Sequence, residues 1–232
     1  MSDWRIAADE LVAYVRATYA PIGIVIAGSL VRSEGGPTSD LDVFVVHAEP
    51  WRLRDQRVFA GVPAELFVNP AAQVRRYFAS EHERARPCTA HMFATGEPVE
   101  PVDAVIHELV AEAHAWLKRP VERSAAELER LRYGAIDVLD DARDVGDRAE
   151  RAMLLGEVVR SVVEYAFVSR AMFVPRRKEL VARLGELDAH AGALVTRWAE
   201  RGELGVVEEL AKHVLGVDGF FEWTSGRETI ET

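Results

Sequence analysis

Two short runs constrain this chain before anything else: "IGIVIAG" at 22–28 and "DLDVFVV" at 40–46. Both are β-branched and nearly all apolar, so each reads as a strand buried on both faces. Such strands need helices above and below them, which makes this part of the chain α/β. The flanks supply the cover. Residues 3–19 set Ile6, Leu11, Val12 and Val15 at helical spacing, and Pro21 and Gly23 end that helix. A third apolar run, "VPAELFV" at 62–68, reads as another strand, with Pro63 suiting an edge position. The polar stretch "WRLRDQRVFAG" between them reads as a connector. Residues 71–95 read as helical, interrupted near Pro87.

The character changes at "ATGEPVEPVD". Its glycine and prolines mark a boundary, giving domains 1–100 and 101–232. Everything beyond reads as helix: 104–118, 124–143, 147–173, 176–186, 188–201 and 203–215. The expected class is α+β, a small α/β domain followed by an all-α bundle. The tail from Asp218 is expected to be loosely ordered, and the aromatics of "FFEW" to pack in a core.

Composition narrows the partners. The formal net charge is −10, which argues against long DNA or RNA, since phosphate binding needs a basic face. Cys88 is the one cysteine, so no intrachain disulfide and no multi-cysteine zinc site forms. It reads as a small packed hydrophobe, in a chain expected in reducing cytoplasm. The start, "MSDWRIAADELVAYV", lacks a basic region before an apolar run, unlike a signal peptide. The most apolar stretch, 153–174, carries Glu157, Arg160, Glu164 and Arg170, so it reads as a core helix and no membrane partner is expected.

The second strand opens with carboxylates that a buried strand should avoid. Residues two apart share a face, so Asp40 and Asp42 project together while Leu41 and Val43 enter the core. A divalent cation between the two would relieve their repulsion, and an all-oxygen donor set suits Mg²⁺. Glu65, the one charge in "VPAELFV", can approach the same face and complete a three-carboxylate cluster of the kind that serves in-line phosphoryl transfer. Upstream, Gly28-Ser29 ends the first strand. Glycine lets a phosphate approach closely, and Ser29–Arg32 reads as the first turn of a short helix.

Gly28-Ser29, a loop, Asp40-Leu41-Asp42-Val43 and a separate strand bearing Glu65 together resemble the nucleotidyltransferase superfamily of DNA polymerase beta type. The pattern is most similar to aminoglycoside and minimal nucleotidyltransferases, and it includes Arg32, Glu34 and Ser39. The helical half resembles the all-α domain of the aminoglycoside enzymes. The resemblance implies a catalytic domain with a mixed sheet, nucleotide phosphates held by Gly28 and Ser29 with Arg32 and Ser39 nearby, and Mg²⁺ on Asp40 and Asp42. Glu65 would be a third metal ligand or the base for the acceptor hydroxyl, and Lys178 a contact to the triphosphate. Where the family commonly has Arg-Gly-Glu, this chain has Arg32-Ser33-Glu34.

The implied reaction moves a nucleoside monophosphate, AMP from Mg-ATP or the equivalent from another NTP, onto a hydroxyl acceptor. An aminoglycoside-like antibiotic is one acceptor, in a monomer or homodimer conferring antibiotic resistance. Two alternatives stand beside it: modification of a protein, as in antitoxin-type members, or an inactive nucleotide-binding module. Glu157 and Glu164 read either as acceptor-site carboxylates or as partners of nearby basic residues.

Overall fold

The computed structural model describes residues 4–36 and 38–227. The chain divides into two compact units, Met1–Arg119 and Pro120–Thr232, so the division falls later than the expected one at residue 100. The cause is helix α4 (Ala104–Leu117), whose Ile106, Leu109 and Ala113 pack in the core of the first unit. The Pro-rich stretch before it is a surface crossing within that unit.

In the first unit, helix α1 is Trp4–Tyr19, and strands β1 to β5 are Gly23–Ala27, Leu41–His47, Leu53–Phe59, Val62–Pro70 and Glu97–Pro98. They form one mixed sheet in the order β3-β4-β2-β1-β5. β2 and β4 run parallel, and the other pairs are antiparallel. Two sequence expectations change here. The polar stretch at 51–61 is largely a strand, β3, satisfied along one side by β4 and rich in charge as an exposed edge strand can be. β4 therefore lies inside the sheet. Its Pro63 precedes Ala64, the first residue paired with β2, where a missing N–H costs the ladder little.

Strand alternation assigns the faces. Leu41, Val43 and Val45 pack against Ala7, Leu11 and Val15 of α1. Phe44 and Val46 pack on the opposite side with α4 and with helices α2 (Ala71–Glu83) and α3 (Cys88–Thr95). Asp42 belongs by alternation to this second face.

The second unit holds helices α5 to α9: Ala125–Asp144, Arg148–Val168, Leu180–Leu187, Ala189–Arg201 and Leu204–Leu215. The start of α5 is a capping box between Ser124 and Glu127, and Asp147 and Asp188 cap α6 and α8. Residues 218–227 form neither helix nor strand, yet they are tied down. Arg143 binds the Asp218 carbonyl, Trp223 stacks on Tyr133 at 4.4 Å, and Phe221 lies under Arg132. Phe220 is exposed, and residues 228–232 of the expected loose tail lie outside the described residues.

Candidate active site

β1 ends at Ala27, which is paired with Asp42 of β2, and Asp42 is in turn level with Glu65 of β4. Three adjacent strands thus bring the Gly28 turn, the aspartates and the glutamate into one row. Asp42 and Glu65 stand as direct neighbours because their strands are parallel and in register.

The turn after β1 depends on its glycine. Gly28 has φ +104°, and a β-carbon there would lie 3.1 Å from both the Asp40 carbonyl oxygen and Asp42 Oδ2. The missing side chain is what lets the aspartates lie against the turn. Ser29–Ser33 then form a turn, not the expected start of a helix. The Glu34 amide donates to the Ser29 carbonyl at 2.9 Å. Ser29 Oγ donates to Ser39 Oγ at 2.8 Å, and the Gly36 amide donates to the same Ser39 oxygen at 2.8 Å. Ser29 and Ser39 thereby fasten the two ends of the loop together beside the aspartates. Ser33 stands at φ 60°, in the left-handed region that favours the glycine common at this point of the family pattern. Arg32 holds Glu34 at 3.0 Å.

The electrostatics mark the same cluster. The Asp42 carboxyl is pushed up to about 6, first by burial and then by the charges of Asp40 and Glu65. Arg32 and Arg54 act in the opposite direction. Glu65 is nearly buried, yet it is held below the usual carboxylate range by its hydrogen bond from Arg54, with a further one from Gln56 at 3.3 Å. Both bonds converge on Oε1, leaving Oε2 without a protein partner among the described residues.

Arg54 and Gln56 thus join the candidate site through Glu65, and the sequence reading passed over both as part of a connector. A signal was present. "RVFAGV" closes a two-residue hairpin with positive φ at both Ala60 and Gly61, which sets Gln56 opposite Glu65.

Among the described residues, no group of three or more His, Cys, Asp or Glu side chains comes together as a metal cage. Glu65 turns its Oε1 to Arg54 and Gln56, while its charge and that of Asp40 both act on Asp42. The aspartate pair, Asp40 and Asp42, still fits a divalent cation. It is an oxygen donor set under mutual repulsion, next to a turn with no side chain in the way.

Lys178 belongs to the second unit, exposed in the turn before α7. In that unit Glu157 is exposed and Glu164 half-buried, while Asp140 is bound by Arg143 at 2.6 Å. Cys88, expected to be packed, is exposed at the start of α3. No helix among the described residues is long and apolar enough to cross a membrane.

No curated protein matches the chain significantly. Among solved structures, the crystal structure of a nucleotidyltransferase-like protein from Exiguobacterium sibiricum 255-15 is similar, with a TM-score of 0.54 at 9% identity. That likeness of fold covers 90% of this chain and 73% of the other. The family model of the nucleotidyltransferase domain matches residues 8–86, the span from α1 to just before α3 that holds the Gly28 turn, Asp40, Asp42 and Glu65. Over this segment the chain is similar to the nucleotidyltransferase domain family.

Proposed function

We propose that the protein transfers a nucleoside monophosphate, AMP from Mg-ATP, to the hydroxyl of a small-molecule acceptor. The carrying observation is the register that sets Asp42 of β2 beside Glu65 of β4, with the side-chain-free Gly28 turn against the aspartates. Gly28 and Ser29 receive the phosphates of the donor, with Arg32 and Ser39 shaping the loop around them. Asp40 and Asp42 would hold Mg²⁺, which supplies charge neutralisation at the reacting phosphate.

The acceptor oxygen forms a bond to the α-phosphorus, and the bond from that phosphorus to the bridging oxygen breaks, releasing pyrophosphate. Glu65 offers its unpartnered Oε2 to the attacking hydroxyl. The Arg54 guanidinium keeps Glu65 ionised, so it orients the hydroxyl and is a weak store for its proton.

Label transfer tests this reading. ATP labelled at the α-phosphate passes its label to the acceptor, whereas label at the γ-phosphate leaves in pyrophosphate. Transfer of γ-label to the acceptor would identify a kinase instead. Loss of transfer in Asp40→Asn/Asp42→Asn places the chemistry at this pair.

A further inference from the structure

The sheet face that carries Asp42 and Glu65 continues into a cavity of about 610 Å³ within the first unit, a size that suits a small molecule. Phe44 follows Asp42 by two residues and Phe67 follows Glu65 by two, so both rings lie on the same face as the carboxylates. Their rings stack with centroids 5.0 Å apart and planes 16° from parallel, and Met92 of α3 adds a further apolar side chain to the lining.

The charged lining is one-sided. Arg54 lies over the Phe67 ring and is balanced by Glu65. Arg52 meets no carboxylate among the described residues; its guanidinium donates to the Tyr77 hydroxyl at 2.9 Å, which donates to Asn69 Oδ1 at 3.3 Å. The carboxylate in the lining, Glu81, is committed to α3. It accepts from the Thr89 amide at 2.6 Å and the Thr89 hydroxyl at 2.8 Å. The cavity therefore presents flat apolar surface, a guanidinium with no carboxylate partner among the described residues, and one carboxylate whose two oxygens already accept from Thr89.

We propose that this cavity binds a hydroxyl-bearing molecule with a flat ring and a carboxylate or phosphate group, the ring near Phe44 and Phe67 and the anion on Arg52. Naming it the acceptor rests on the nucleotidyl-transfer reading. In the sheet order the Gly28 turn lies on the β1 side of Asp42 and the cavity on the β4-β3 side, which separates a donor from an acceptor. A polycation such as an aminoglycoside would meet two guanidiniums here, and the one carboxylate in the lining already accepts two hydrogen bonds from Thr89.

Calorimetric titration of the full chain tests the binding apart from the chemistry. The ligands are AMP, 4-hydroxybenzoate and kanamycin, without Mg²⁺ and in the Asp40→Asn/Asp42→Asn background. The expected result is saturable binding of AMP or 4-hydroxybenzoate, weakened at least fivefold by Arg52→Gln and not displaced by kanamycin. AMP alone would indicate a nucleotide-type acceptor, 4-hydroxybenzoate alone an aromatic acid. Binding of neither, binding unchanged in Arg52→Gln, or displacement by kanamycin would overturn the proposal. Absence of α-label transfer by the wild-type chain, with this binding intact, would instead refute the nucleotidyl-transfer reading.

Discussion

Gly28 is the residue on which the cluster turns. Gly28→Ala would place a methyl group 3.1 Å from Asp42 Oδ2 on a backbone at φ +104°, a conformation that costs an L-residue about 1–2 kcal/mol. The expected outcome in urea unfolding is a loss of that size, together with weakened nucleotide binding; unchanged stability would remove the close-approach argument. Asp42 makes a pH-dependent prediction. Its folded pKa of about 6 stands above the unfolded value of about 3.9, so in that window the folded chain holds a proton that the unfolded chain has lost. Stability from this group then falls as pH rises from about 4 to about 6. In EDTA, Asp42→Asn should melt higher than wild type at pH 7.5 and converge with it near pH 4. An equal difference at both pH values would contradict the burial and repulsion assigned to Asp42. At this scale the sequence was readable where chemistry conflicts with burial, as with the aspartates opening a core strand. Arg54 was readable only through the hairpin at "RVFAGV", because a charged residue in a polar stretch by itself violates nothing.

At the scale of elements, the helices of both units followed from periodicity, although α6 ends at Val168 where 173 was expected and α7 begins at Leu180 where 176 was expected. β3 did not, because it is an edge strand with exposure at most positions and so lacks the alternation that betrays a half-buried strand. Only its hairpin partner explains it. The cap of α8 carries a prediction of its own. Asp188 accepts from the Ala191 amide at 3.0 Å and lies 2.9 Å from His213 Nε2, and the amide bond first and then the histidine hold its carboxyl below the usual range. With a depressed folded pKa, its contribution is present above pH 4 and is lost as pH falls through that lower value. Asp188→Ala should cost about 1 kcal/mol at pH 7, the usual worth of such a cap, and progressively less below pH 4. A cost independent of pH would mean that the carboxylate's charge plays no part.

For the whole molecule, the division at Arg119–Pro120 shows what composition signals can and cannot locate. Glycine and proline in 96–101 mark a crossing of the surface, but the apolar face of α4 decides which core owns the next helix. The likeness to the nucleotidyltransferase domain was legible because the Gly-Ser turn, the aspartates and Glu65 all fall within one short segment. The cavity beside Phe44 and Phe67 was not, since its lining is gathered from β2, β3, β4, α2 and α3, and no spacing along the chain announces it.

The central claim is that the turn and the aspartate pair together take a metal-bound nucleoside triphosphate. Calorimetric titration of ATP into the full chain, with and without Mg²⁺ and in Asp40→Asn/Asp42→Asn, tests it most directly. The account predicts Mg²⁺-dependent binding that weakens at least tenfold in the double variant while the fold is kept. Binding of equal strength without the metal, or in the variant, would contradict it.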